Sequence, residues 1–205
     1  MRWYDKYILP KLVHFTCGLN PNMRQREKVV PLARGAVLEV GVGSGLNFPY
    51  YDATSVRKVW GLDPSPELLE MAEEAADAAP FDVEFLGMPI EDLPLENGSV
   101  DTVLVTYTLC TVPDTTAALR QMSRVLRPGG QLIFCEHGAA PDAGVRRWQD
   151  RLNPLWRRIS GGCELNRAIP TLIEEGGFRI TGMDTMYLPG WRPGSFNYWG
   201  TATAH

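Results

Sequence analysis

The sequence predicts an α/β fold built on a doubly wound, largely parallel sheet, and three observations carry that prediction. Residues 36–40 are a near-continuous apolar run, the mark of a strand covered on both faces, and glycines follow at positions 41, 43 and 45. From there to residue 137, strand-like runs rich in branched side chains alternate with segments of helical periodicity, as parallel strands joined by crossover helices require. At 205 residues, 44% of them hydrophobic, the chain suffices for one domain with a sizeable core.

Each element has its own warrant. In residues 1–32, Trp3, Tyr4, Tyr7, Ile8, Leu12, Val13 and Phe15 form a helical stripe that Pro10 interrupts. The first strand, 36–40, runs into the glycines, and residues 46–50 are expected to begin a helix. Residues 58–62 are the second strand. Ser65 reads as a helix N-cap, Pro66 as the first helical residue and Glu67 as a first-turn acid, with Leu68, Met71, Ala72 and Ala75 at helical spacing. Residues 82–86 are the third strand, 88–95 a loop, Asn97-Gly98 a turn and 100–106 the fourth strand. Asp114 caps a helix whose inward face is Ala118, Leu119, Met122, Val125 and Leu126; Arg127-Pro128-Gly129-Gly130 ends it, and residues 131–135 form the fifth strand.

Residues 138–165 break the rhythm. Val145, Trp148, Leu152, Leu155, Trp156 and Ile159 recur near helical spacing, with arginines at 146, 147, 151, 157 and 158 on the other faces and Pro154 as an expected kink. This predicts a helical insertion over the open end of the sheet. The arginines read as a solvated face or as a contact for an anionic substrate or lipid headgroup. Residues 170–175 start a last helix that Gly176-Gly177 ends, and 179–187 with 196–204 close the chain as an antiparallel pair.

Bulk properties exclude several classes. A net charge of -4 argues against a nucleic-acid footprint. Four cysteines, at 17, 110, 135 and 163, contain no Cys-x-x-Cys pair, and no His and carboxylate cluster has ligand spacing, so no metal is expected. No apolar run reaches the roughly 18 residues of a membrane span, and residues 1–11 lack the apolar centre of a signal peptide. A cytoplasmic protein is expected, with peripheral membrane contact open because aromatic and basic residues interleave at the start. Nothing in the sequence specifies an oligomeric state.

The glycine turn removes β-carbons where a backbone can lie against a ligand. It lacks the Lys-Ser or Lys-Thr of a phosphate-cradling loop, and its Gly-x-Gly-x-Gly spacing differs from a dinucleotide fingerprint. Glu39, two residues before the first glycine, would repel a pyrophosphate and attract a cationic amine, although a structural partner role is also open to it. Asp63, ending the second strand, is placed for ribose hydroxyls. An acid for an amine and an acid for a ribose describe S-adenosylmethionine better than a phosphate-bearing cofactor.

The segments 37–45, Gly61-Leu62-Asp63, Glu91-Asp92-Leu93-Pro94, 103–108 and 126–130 resemble, in order, the motifs of class I S-adenosylmethionine-dependent methyltransferases. Leu109-Cys110-Thr111-Val112, Glu136-His137 and the stretch from Trp148 through Gly161-Gly162-Cys163 resemble the methyltransferase-like seven group, the thiol S-methyltransferases. The resemblance implies a seven-stranded Rossmann-like methyltransferase sheet with its last strand antiparallel, an N-terminal helical lid (1–32) and a helical insertion (138–165) over the active site. It implies S-adenosylmethionine as cofactor, S-adenosylhomocysteine as product and a small-molecule acceptor, preferably a thiol. A phospholipid or other amine N-methyltransferase, and a non-catalytic S-adenosylmethionine-binding protein, stay open beside it. The resembling animal proteins carry a hydrophobic N-terminal anchor, which this sequence does not show.

Strand ends supply the candidate residues, since ligands of such sheets bind beyond the carboxyl ends of the strands. Glu39, Gly41, Gly43, Gly45, Asp63, Pro64, Thr106 and Tyr107 are expected to bind the cofactor. Ile90 and Glu91 are expected at the adenine, where Pro89 replaces the acid that family members often carry. His137, with Glu136 to orient it, is the candidate base for a thiol; a structural histidine is the alternative. Cys110, Trp148 and Trp156 are expected around the acceptor, the tryptophans as an apolar roof and Cys110 alternatively as a small core filler.

Overall fold

The computed structural model describes residues 3–205; Met1 and Arg2, the start of the expected lid segment, lie outside the described residues. Seven strands form one sheet: β1 (Gly35–Val40), β2 (Val56–Leu62), β3 (Asp82–Leu86), β4 (Val100–Thr106), β5 (Leu126–His137), β6 (Phe178–Tyr187) and β7 (Phe196–Ala204). Their order is β3-β2-β1-β4-β5-β7-β6. The first five run parallel, and β7, the last in the chain, is antiparallel to both β5 and β6. Fold class and the reversed last strand are therefore as expected.

Both faces of the sheet are covered, which is why the central strands show no polar alternation. Leu38, Val40, Val103, Val105, Leu132 and Phe134 pack with Ala118, Leu119 and Met122 of α5 (Thr115–Val125). On the opposite face Val37, Leu104, Ile133 and Cys135 pack with Val29 of α3 (Asn20–Val29) and with Leu69 and Ala72 of α4 (Pro66–Ala76). The cap signals hold: Leu68 N–H donates to Ser65 Oγ at 3.3 Å and Ala117 N–H to Asp114 Oδ1 at 2.9 Å.

Two expectations are corrected. No α-helix follows the glycines; residues 46–50 make only a short 3-10 turn, Phe48–Tyr50. Tyr51 leaves the turn in extended backbone (φ -66°, ψ 135°), and the Asn47 side chain is held by Glu39 and Thr106, so the turn stops after three residues. β5 begins at Leu126 instead of residue 131, since Leu126 pairs with Val100 and an irregularity in register takes up the intervening residues. The insertion forms α6 (Ala143–Ile159), whose apolar residues divide between two faces: Val145, Leu152 and Trp156 are half-buried, whereas Trp148 is 55% and Leu155 62% exposed. The buried residue of α6 is Gln149, whose amide takes the Ala140 N–H and donates to the carbonyls of Gly138, Leu165 and Pro193. This polar knot anchors the helix beside its half-buried Val145, Leu152 and Trp156.

The segment before the sheet folds as α1 (Trp3–Tyr7), α2 (Leu9–Cys17) and α3, with Pro10 in the first turn of α2, where a missing amide hydrogen is tolerated. Four further elements complete the chain: α7 (Ile169–Glu175) and 3-10 turns at Val30–Leu32, Ile90–Asp92 and, between β6 and β7, Arg192–Gly194.

Candidate active site

Strand order reverses between β1 and β4, and a cleft of about 430 Å³ opens beyond their carboxyl ends. Its floor is the glycine turn. Gly41 has φ 71°, and a β-carbon on it would stand 2.1 Å from Thr108 Oγ1, so no other residue fits. Gly43, at φ 55°, faces open space, so its bare backbone is the surface a ligand meets.

Asp63 stands on the cleft wall at the end of β2 with 8% exposure. Gly43 N–H donates to its Oδ2 at 3.0 Å and Ser65 N–H to its Oδ1 at 2.9 Å. Burial pushes its pKa up while those two amides pull it down. Each carboxylate oxygen keeps a lone pair for a further donor. Pro64, Ile90 and Glu91 line the same end of the cleft.

Glu39 lies behind the wall, not in it. It is 1% exposed, and its two oxygens accept from Asn47 Nδ2 at 2.8 Å and Tyr51 Oη at 2.6 Å. Burial pushes its pKa up to about 7 against those two hydrogen bonds and the nearby Arg26. The expectation of a direct contact between Glu39 and an amine is corrected accordingly: the carboxylate fixes Asn47, and Asn47 orients Arg26.

Arg26, on α3, had no signal in the sequence, where it is one basic residue among several. Its Nη1 donates to Asn47 Oδ1 at 2.8 Å and Thr106 Oγ1 at 2.6 Å, and the guanidinium lies 5.1 Å from the centre of the Tyr107 ring. It is buried, lines the cleft and has a buried Nε with no partner. A buried guanidinium with donors to spare suits a ligand carboxylate. Tyr107 adjoins it at φ 55°, the one non-glycine residue with positive φ among the described residues, held by donation of its N–H to the Cys135 carbonyl at 2.8 Å.

The N-terminal segment crosses the cleft mouth. Leu9, Pro10, Val13, His14 and Cys17 line the cavity. His14 Nδ1 is 2.7 Å from Ser44 Oγ in the glycine turn, and Tyr4 Oη donates to the Ile159 carbonyl at 2.5 Å.

At the other end of the cleft the wall includes Thr108, Thr111, Ser160 and Gly161, and the thiol-related candidates sit just behind it. Thr108 and Leu109 N–H both donate to Glu136 Oε1, at 2.7 and 3.0 Å, while Oε2 is buried without a partner. Burial pushes Glu136 up to about 7. His137 Nε2 is 3.1 Å from Cys163 Sγ, and Trp156 Nε1 donates to the same sulfur at 3.4 Å. The Cys163 thiol is held well below the ordinary thiol range, first by hydrogen bonding from Cys110 and then by His137 and Trp156; Cys110 is raised in return. For His137, burial opposes the charged form, but the Cys163 sulfur and the Glu136 carboxylate favour it and the net shift is upward. Trp156 thus reaches this group, against Trp191 at 5.5 Å, whereas Trp148 lines a separate outer groove with Asp142 and Arg192. Neither tryptophan lines the cleft itself.

The arrangement fits S-adenosylmethionine: a side-chain-free bend, a carboxylate at one end for ribose hydroxyls and a buried guanidinium for the amino-acid carboxylate. It does not fit a phosphate, because the helix N-terminus expected after the glycines is absent. Comparisons agree. The family model described as a methyltransferase domain matches residues 38–134. Human thiol S-methyltransferase TMT1A is 31% identical over 190 residues, 86% of this chain and 75% of that protein. Human TMT1B is 35% identical over 158 residues, 75% of this chain; the match spans 64% of that relative's length, under two thirds. In structure, a geranyl diphosphate methyltransferase in complex with S-adenosylmethionine superposes with a TM-score of 0.72 at 17% identity, over 90% of this chain and 86% of that one, a likeness of fold. The chain belongs to the class I S-adenosylmethionine-dependent methyltransferases. Within that class its likeness is to the TMT1 group.

Proposed function

We propose that the chain transfers a methyl group from S-adenosylmethionine to a small thiol. The observation that carries the thiol reading is the His137–Cys163 contact at 3.1 Å, placed behind the wall segment Ser160 and Gly161. Names of the TMT1 relatives support it. Bound in the cleft, S-adenosylmethionine supplies a methyl group on a positively charged sulfur, and transfer to a thiolate leaves S-adenosylhomocysteine with both charges cancelled. Asp63 and Arg26 hold the two ends of the cofactor, and the bare backbone at Gly43 lets it lie flat. Alignment by these groups supplies much of the rate. A thiol with a pKa near 8.5 is only a few per cent ionised at neutral pH, so a proton acceptor adds to that. Neutral His137 fills this role: it takes the acceptor's proton and passes it to solvent, and the Cys163 sulfur beside it, which raises the imidazole's pKa, makes it the stronger base.

A panel of alkyl and aryl thiols, amines and phenols, incubated with methyl-labelled S-adenosylmethionine, tests the reading. S-methyl products are expected; methylated amines or phenols with inert thiols would remove the thiol assignment. His137→Ala should slow transfer to high-pKa thiols about 10²-fold or more, in the range of general-base effects, and transfer to acidic thiols far less. Equal slowing of both would remove the base.

A second reading, a phospholipid N-methyltransferase, is favoured by one feature: α6 carries Trp148, Leu155 and Ile159 exposed beside its arginines. Sedimentation with anionic vesicles at low salt separates the two, since an unbound protein does not act on lipid. No helix of the described residues is long and apolar enough to cross a membrane.

A further inference from the structure

The sequence spaces its cysteines too widely to suggest a metal, yet the fold draws two of them to one histidine. The Sγ atoms of Cys110 and Cys163 and a ring nitrogen of His137 lie within 4.8 Å of one another. No other trio of His, Cys, Asp or Glu among the described residues converges in this way. We infer that Cys110, His137 and Cys163 form a three-ligand site for a soft divalent cation of the zinc type, at the acceptor end of the cleft.

Four observations carry this. The donor set is sulfur, sulfur and imidazole nitrogen, which selects zinc-like ions over magnesium or calcium. The spacing is close to what coordination needs: metal–sulfur bonds of about 2.3 Å and metal–nitrogen bonds of about 2.0 Å in a tetrahedron put the donors roughly 3.5 to 3.8 Å apart. With His137 Nε2 at 3.1 Å from Cys163 Sγ, shifts of under about an ångström complete the geometry. Charge balances as well, because two thiolates neutralise a dication and the buried site gains no net charge.

The ligand loops are also fixed before any ion arrives. Glu136 takes the N–H groups of Thr108 and Leu109 and so sets the turn that presents Cys110. Glu164 N–H donates to the Cys110 carbonyl at 2.9 Å, tying the Cys163 loop to the Cys110 loop. Arg167 donates to the carbonyls of Leu109 and Val112 from the other side. Around the sulfurs, Trp156 Nε1 donates to Cys163, and Thr111 Oγ1 lies 3.4 Å from Cys110, hydrogen bonds of the kind that favour thiolates. On binding, Cys110 exchanges its hydrogen bond to Cys163 and a long contact, 3.6 Å to the Tyr107 carbonyl, for the bond to the cation. Three protein ligands leave one position of a tetrahedron, and here the inference rests on the thiol reading: that position takes the sulfur of the acceptor, with the cation in place of the imidazole favouring its ionised form.

Cobalt(II) titration of the reduced protein tests the site without any methyl transfer, so a failure here and a failure of the thiol reading are told apart. One equivalent should give an intense thiolate-to-cobalt charge-transfer absorption that zinc displaces. Cys110→Ser and Cys163→Ser should bind at least about tenfold more weakly, with S-adenosylmethionine binding retained as the check on folding. Alkylation of the wild-type protein provides a reading free of variants: zinc should slow modification of Cys110 and Cys163 but not of Cys17. Absence of the absorption in fully reduced protein, its persistence in both variants, or alkylation indifferent to zinc would each overturn the proposal.

Discussion

At the scale of single residues, the account turns on Arg26. Its guanidinium is buried against Tyr107 and bonded to Asn47 and Thr106, with no ion-pair partner among the described residues within the usual distance. A buried cation left without a carboxylate is costly, and a bound ligand carboxylate supplies the missing partner. Arg26→Gln is therefore expected to weaken S-adenosylmethionine binding by about 1.5 to 3 kcal/mol, the range of charge-assisted hydrogen bonds. 5′-Methylthioadenosine, which lacks the amino-acid part, should bind the variant and the wild type alike in calorimetry; equal losses for both ligands would place Arg26 in a purely structural role. Sequence patterning gave no access to this residue, because nothing local separates Arg26 from Arg24 or Lys28, and only the packing of α3 on the sheet buries it. Asp63 was legible for the opposite reason, since its place at the end of β2 follows from strand periodicity alone.

Among the elements, the N-terminal helices decide how the cleft opens. Two side-chain hydrogen bonds tie them across it, His14 to Ser44 and Tyr4 to the Ile159 carbonyl. If α1 and α2 act as a lid, the double variant Tyr4→Phe, His14→Ala loses about 1 to 3 kcal/mol of closed-state preference, at roughly 0.5 to 1.5 kcal/mol for each bond. Stopped-flow measurement of S-adenosylhomocysteine release should then show a rate raised about tenfold, and an unchanged rate would reduce the segment to packing. The helix caps at Ser65 and Asp114 were readable because a cap is a local contact three residues long. The stop after Phe48–Tyr50 was not legible, because Asn47 is held by Glu39 on β1 and Thr106 on β4, which only the folded sheet brings to it. In α6 periodicity tells which residues share a face and not which face is buried; Gln149 settles that through partners on other segments of the chain.

For the whole molecule, two buried carboxyls, Glu39 and Glu136, held up to about 7 make stability depend on pH. A carboxyl raised above its unfolded value near 4.5 binds its proton more tightly when folded, so its contribution is fully present below about pH 4.5 and lost as pH rises through 7. For Glu39 that loss is about 3 kcal/mol. Cys163, lowered in the fold, contributes with the opposite sign, so the clean quantity is the difference between Glu39→Gln and wild type, in which the thiol cancels. Urea denaturation of the cofactor-free proteins should show the variant gaining on the wild type by up to about 3 kcal/mol between pH 4.5 and 8, whatever constant offset the amide introduces. A pH-independent difference would show Glu39 ionised throughout. At this scale the doubly wound sheet and its reversed last strand were legible from rhythm and family motifs, while the Cys110–His137–Cys163 convergence was not, because it joins the end of β5 to two loops that meet it only once the sheet and α6 are assembled. The most direct test of the central claim, that the cleft beyond β1 and β4 holds S-adenosylmethionine against Asp63, is calorimetric titration of cofactor and product into wild type and Asp63→Ala. One site, weakened by about 1.5 to 3 kcal/mol in the variant, with no binding of a nicotinamide dinucleotide, is the expected result; unaltered affinity in Asp63→Ala, or a dinucleotide that competes for the cleft, would contradict it.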